Sequence, residues 1–295
     1  MISVLTLGRC DYATALRLQE TLVELRKQNR VGNVLLFVEH PPVITLGRNA
    51  RDANIVVSRE LLASRGVEVH EINRGGDVTF HGPGQLVAYP IFDLRSFEPR
   101  LGVIEYVRRL EDVLMRICAH YAIETQRICG LTGVWTCATI PPRLDPRPPA
   151  RDYIPSGAEE TPGNSAAWCE RKIAAIGVHI SRGVASHGFA LNVTTDLDSF
   201  QLIVPCGLAK PVTSIEFETG LRPSLDEVMT IASRTFSELF HSQVLWLESI
   251  HDLIPEQSPA TVAPAALDPG LDPDDTPARA PENERRIASD DIHLA

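Results

Sequence analysis

Arg74-Gly75-Gly76-Asp77-Val78-Thr79-Phe80-His81-Gly82-Pro83-Gly84-Gln85-Leu86-Val87-Ala88-Tyr89 sets four glycines, a proline, an arginine and a histidine within sixteen residues, with apolar runs on either side. Paired glycines let the backbone approach a ligand closely and adopt positive φ, which residues with a Cβ do only at a cost. The stretch is read as a long loop joining a strand over 67–72 to a strand over 86–94. An ordinary Gly-rich hairpin connection satisfies the same residues. On this stretch alone, a phosphate cradle and a nucleophile-bearing loop are also open.

Before the loop, residues 4–7 and 34–38 pattern as strands, with a helix over 12–29 between them and Asp11 as its N-cap. His40-Pro41-Pro42 breaks the second strand ahead of another over 43–48. A short helix over 58–64 ends at Gly66, a residue type that accepts a left-handed cap. After the loop, Ile104, Val107, Leu110, Leu114, Ile117, Cys118 and Tyr121 form one stripe and predict a helix over 102–122, with Cys118 as a core thiol. Strands over 123–128 and 133–137 follow, then a strand pair over 172–180 and 183–193. Residues 211–217 read as irregular to extended, and 225–241 as an amphipathic helix capped by Ser224. Strands and helices interleave without a regular βαβ period. That predicts a mixed α/β (α+β) domain over 1–250 with some antiparallel sheet. Recurring prolines over 138–168 predict a surface insertion, and the Pro-, Ala- and Asp-rich stretch over 251–295 a disordered acidic tail.

The net charge of -10 is mostly the tail's. From Asp252 onward ten acidic residues face three basic ones, leaving about -3 for the rest. A nearly balanced body argues against nucleic-acid binding, which needs clustered Lys and Arg. No apolar run reaches the roughly 18 residues that span a bilayer, and the N-terminus lacks an export pattern. The expectation is a cytoplasmic protein without a membrane segment. The six cysteines, Cys10, Cys118, Cys129, Cys137, Cys169 and Cys206, form no CxxC pair and no zinc pattern with the histidines. Reduced thiols and no metal are expected. The chain carries no G-x-x-x-x-G-K-[ST] run and no G-x-G-x-x-G after a strand, so no nucleotide cofactor is expected.

Val204-Pro205-Cys206-Gly207 places a thiol between proline and glycine. Such a thiol can be a nucleophile, given a cation or polarised amides to favour the thiolate; an ordinary half-buried cysteine fits the tetrapeptide too. Lys172 opens an otherwise apolar strand, where its ammonium either faces a cleft or reaches for water. His81 reads as a general base or a pocket wall, and His187-Gly188-Phe189-Ala190 offers a second Gly-flanked histidine.

Together, the 74–89 stretch, the segments Lys172-Ile173-Ala174-Ala175-Ile176-Gly177 and His187-Gly188-Phe189-Ala190-Leu191-Asn192, and Pro205-Cys206-Gly207 resemble the lipoyl(octanoyl) transferase family. The resemblance extends over about residues 5–247 and implies the mixed sheet, flanked by helices, of the biotin and lipoate protein ligase catalytic domain. It implies that Cys206 forms an acyl-thioester intermediate and that Lys172 lowers its pKa. Arg74, Gly75, Gly76, Asp77, Val78, Thr79, Phe80 and His81 would line the acyl site with Ala175, Ile176, Gly177, Gly188, Phe189 and Ala190. The implied donor is octanoyl-acyl carrier protein. The implied acceptors are lysines of lipoyl domains in 2-oxoacid dehydrogenase complexes and of the glycine cleavage H protein, with no cofactor. An ATP-dependent lipoate ligase and a non-catalytic acyl-binding protein of the same fold are the alternatives. The 138–168 insertion and the long tail depart from a compact member of that family.

Overall fold

The computed structural model describes residues 1–137, 170–204 and 211–253. The expected Pro-rich insertion, the Pro205-Cys206-Gly207 run and the acidic tail lie outside the described residues, apart from residues 251–253.

Alternation along β2 (Asn33–Glu39) decides the layering. Val34, Leu36 and Val38 pack toward α1 (Tyr12–Lys27), while Leu35 and Phe37 pack toward α3 (Val103–His120) and α5 (Leu225–Leu239). A strand apolar on both sides belongs between two layers, because either face left in water would forfeit its burial. The main sheet runs β11 (Val244–Trp246), β1 (Ile2–Arg9), β2, β6 (Gln85–Ile91), β10 (Val184–Asn192), β9 (Lys172–Ser181), β8 (Leu131–Thr136), β7 (Thr125–Ile128). β11, β1 and β2 are parallel, and every later neighbour is antiparallel. This is the expected mixed α/β domain with antiparallel sheet.

The caps follow the sequence. Asp11 accepts from the Thr14 amide at 2.8 Å and Ser224 from the Glu227 amide at 3.2 Å, satisfying donors that a helix start leaves open. Gly66 follows α2 (Arg59–Ser64) at φ +66°.

Three expectations are corrected. The strands flanking the opening stretch are not a hairpin: β4 (Glu68–Glu71) belongs to a separate small sheet, in the order β4, β3 (Val43–Leu46), β5 (Val78–His81). Four residues of the supposed loop, Val78 to His81, are therefore a strand, paired antiparallel to β3. The glycines on either side masked its alternation, in which Val78 and Phe80 point into a small core with Ile44, Leu46 and Phe200. Ile104 is 67% exposed, because the buried stripe of α3 begins at Tyr106. Residues 215–217, the end of the stretch over 211–217 read as irregular to extended, open α4 (Ile215–Thr219), ended by Gly220 at φ +72°.

Candidate active site

Residues 74–77 leave β4 and fold onto the chain that follows β3. The Gly47 amide donates to the Asp77 carbonyl (3.2 Å), Arg48 to Arg74 (3.1 Å) and Asn49 to Gly76 (3.1 Å). The Gly75 amide reaches the other sheet, donating to the Val178 carbonyl of β9 at 3.0 Å. Glycine is required at this crossing: a Cβ on Gly177 would lie 2.9 Å from the Gly75 carbonyl oxygen and 3.0 Å from Arg74 Cδ. Gly76 itself sits at φ +88°, a region that L side chains rarely adopt.

Arg74 is buried. Its guanidinium donates to the Thr45 carbonyl (2.8 Å), the Thr45 hydroxyl (3.0 and 3.2 Å) and the Gly75 carbonyl (3.0 Å). The side chain thus pins its own loop to β3.

A cavity of about 630 Å³ opens between this loop and β6, β8, β9 and β10. That size is within the range of small-molecule sites, roughly 300–1,000 Å³. Arg74, Gly75, Gly76, Asp77, Val78, Thr79 and His81 line it from the loop side. Ala175, Ile176, Gly177, Gly188, Phe189 and Ala190 line it from the main sheet, where Ala175 pairs with Ala190, Ile176 with Phe189 and Gly177 with Gly188. Two segments named separately in the sequence are thus cross-strand partners. Phe80 is the exception: its ring lies in the small core, 5.7 Å from Phe200, and does not face the cavity.

Further lining residues had no motif to mark them. Gln85, Val87 and Tyr89 share one face of β6 by the two-residue period, and that alternation was the available signal. Tyr12, Glu111 and Trp135 come from α1, α3 and β8, and only tertiary packing brings them there.

The histidines on this wall are held neutral. His81 Nδ1 lies 2.7 Å from Gln85 Oε1, and the Gln85 amide nitrogen donates to Asn192 Oδ1 (2.9 Å) and the Phe80 carbonyl (3.3 Å). That network makes Gln85 Oε1 an acceptor, so Nδ1–H of His81 donates and Nε2 keeps its lone pair. Burial first, then the neighbouring His40, pushes the His81 pKa down to about 3. His187 is likewise lowered to about 3, by burial and then by Arg74, and its Nε2 lies 2.7 Å from Asn73 Oδ1. Groups this weakly basic are unsuited to general-base work near neutral pH and suited to shaping a pocket.

Lys172 begins β9 on the cavity wall, half-buried, with its ammonium 5.0 Å from the centre of the Trp135 ring. Its amide donates to the Pro211 carbonyl (2.9 Å), and its carbonyl accepts from the Thr213 amide (3.0 Å). Cys206 lies outside the described residues. Its flanks are in place: the Val204 amide donates to the Asn54 carbonyl at 2.8 Å, and Pro211 is bonded to Lys172. The cysteines among the described residues do not line the cavity. Burial raises the thiols of Cys10 and Cys137 and pushes Cys118 up to about 12.

The profile of the lipoyl protein ligase A/B catalytic domain matches residues 11–237. The chain belongs to that family. Its relatives include the octanoyltransferase of Koribacter versatilis, 54% identical over 295 residues and the full length of both chains. The octanoyltransferase of Acidobacterium capsulatum is 52% identical over 88% of this chain and 99% of its own. That of Solibacter usitatus is 47% identical over 81% and 93%. Among solved structures, the bipartite lipoate protein ligase of Thermoplasma acidophilum superposes with a TM-score of 0.57 at 19% identity, covering 84% of this chain and 87% of that one. At that identity the likeness speaks for the fold alone. It is the lipoate ligase catalytic-domain fold that the motifs implied, and within this family the relatives make the protein an acyltransferase.

Proposed function

We propose that the protein transfers an octanoyl group from octanoyl-acyl carrier protein to a lysine of lipoyl domains by way of a thioester on Cys206. The observation that carries the octanoyl assignment is the match to an octanoyltransferase along the whole of both chains. The cavity supports it physically. Val87, Ile176, Phe189 and Val212 offer apolar wall, and each methylene buried there is worth about 0.8 kcal/mol.

In the first step the Cys206 thiolate attacks the donor thioester carbonyl. A new S–C bond forms, the donor C–S bond breaks, and the carrier sulfur leaves as a thiolate that takes its proton from the Lys172 ammonium or from water, the former leaving the lysine neutral. In the second step the acceptor amine attacks the enzyme thioester, an amide forms and Cys206 leaves as thiolate. The free acceptor lysine has a pKa near 10.4 and must lose a proton to react, which a neutral Lys172 or a bound water would take. Exchange of one thioester for another, followed by conversion to a more stable amide, needs no nucleotide. The acceptors would be lipoyl domains of 2-oxoacid dehydrogenase complexes and the glycine cleavage H protein.

Incubation with octanoyl-carrier protein, without acceptor, tests the reading by intact mass. A hydroxylamine-labile octanoyl adduct is expected, lost in Cys206→Ala. No adduct under saturating donor would sink the mechanism, and AMP release on supplying ATP and free lipoate would favour a ligase.

A further inference from the structure

β8 and β9 lose register where they pass the cavity. Val134 lies opposite Ala174 but Trp135 opposite Lys172, so Ile173 has no partner of its own. A bulge of this kind re-aims a side chain. Two residues back on β8, Gly133 sits at φ +123°, and a Cβ there would lie 2.8 Å from Lys172 Cε and 2.7 Å from the Ala174 carbonyl. The lysine stem therefore crosses β8 where a side chain is missing. Its ammonium comes to rest 5.0 Å from the centre of the Trp135 ring, a side chain only 3% exposed.

We propose that Gly133 and Trp135 position the Lys172 ammonium for acyl transfer, Gly133 by leaving room for its stem and Trp135 by offering an aromatic face to its charge. The inference rests on the reading of Lys172 as a catalytic group. An indole face attracts a cation, and more strongly where water is partly excluded. The charged groups around this crossing come from several elements. α3 supplies Glu111, whose carboxylate lies 3.5 Å from the Gly133 amide and pairs with Arg108 (2.7 Å) and with Arg127 of β7 (2.8 Å). α4 supplies Glu218, 3.7 Å from Arg171, which adjoins Lys172 in the chain. His179 and His187 lie farther along β9 and β10. Trp135 differs from all of these in favouring the ammonium without carrying a charge of its own.

The sign of the effect follows. A ring that favours the ammonium raises the pH at which Lys172 loses its proton. Removing the ring pulls in the alkaline limb of the active window, while the acid limb, where Lys172 is charged with or without the ring, stays. The test is the pH profile of kcat/KM for octanoyl transfer in wild type, Trp135→Met, which keeps bulk without a ring, and Trp135→Phe, which keeps a ring. In Trp135→Met the alkaline limb should move inward by about half a pH unit, and in Trp135→Phe by much less. Gly133→Ala, which displaces the stem, should also narrow the window and decides the matter if Trp135→Met does not fold. A uniform loss of rate with the alkaline limb unmoved overturns the proposal, since that is what a merely structural residue would give. Lys172→Ala separates the two readings. If it leaves the profile intact, Lys172 is not catalytic; if it changes the profile while the Trp135 and Gly133 variants do not, only the present inference fails.

Discussion

The loop at 74–77 and the crossing of Lys172 over β8 both line one cavity, and each carries a cation. Arg74 is buried and donates to Thr45 and Gly75, and its backbone is zipped to residues 47–49. Lys172 is half-buried, with its ammonium against the Trp135 ring. One cation is built into the wall, and the other is presented at it. A guanidinium keeps its charge at any working pH and fits several acceptors in fixed directions, whereas an ammonium on a flexible stem can exchange a proton. The comparison teaches that the loop which dominates the sequence is scaffold for the pocket, while the proton chemistry proposed here belongs to an inconspicuous lysine.

The sharpest way to break this division is Lys172→Ala. Octanoyl transfer should fall by at least about 100-fold, the usual worth of a positioned proton-transfer group. Stability should change by less than about 1 kcal/mol, as for a half-exposed side chain. Transfer rates and urea midpoints on the same preparation check both. Full activity would end the catalytic reading, and a large stability loss would make Lys172 scaffold like Arg74.

Arg74→Ala should show the opposite balance. Removing a buried guanidinium leaves the Thr45 carbonyl and hydroxyl without the donors they now have, at a cost of about 3 kcal/mol. The urea midpoint should drop at unchanged slope. Activity should fall with it, because the lost bonds are those that pin the loop of Gly75 and Gly76 to β3. A stable variant would mean that the zipped backbone alone carries the loop.

Much of this was legible before the structure, unevenly and for physical reasons. Period and caps exposed α1, α3, α5 and the β9–β10 pair, because long amphipathic patterns are read locally. The motifs put thirteen of fourteen named pocket residues on one cavity. Phe80 went astray because its role depends on β5, a four-residue strand hidden among glycines, whose alternation turns Phe80 inward and His81 toward the cavity. Ile104 misled because helical period does not say where a helix overhangs its neighbour. Trp135 could not be found at all, since its place opposite Lys172 depends on a one-residue slip between two strands separated by more than thirty residues of chain.

The last test asks whether the cavity wall also sets the acid limit of the fold. His81 and His187 are both held near pKa 3, against about 6.5 in an unfolded chain. As pH falls from 6.5 toward 3 the unfolded chain takes up these two protons and the native state does not, so unfolding becomes steadily easier; above 6.5 the penalty is absent. Each histidine should contribute a slope of about 1.4 kcal/mol per pH unit inside that window. Urea titrations between pH 7.5 and 3.5 measure it. His81→Gln removes one of the two titrating rings, and so should start from a lower midpoint at pH 7.5 yet decline less steeply in acid. Parallel declines in the two proteins would mean that His81 titrates alike folded and unfolded, and would place the acid sensitivity elsewhere in the molecule.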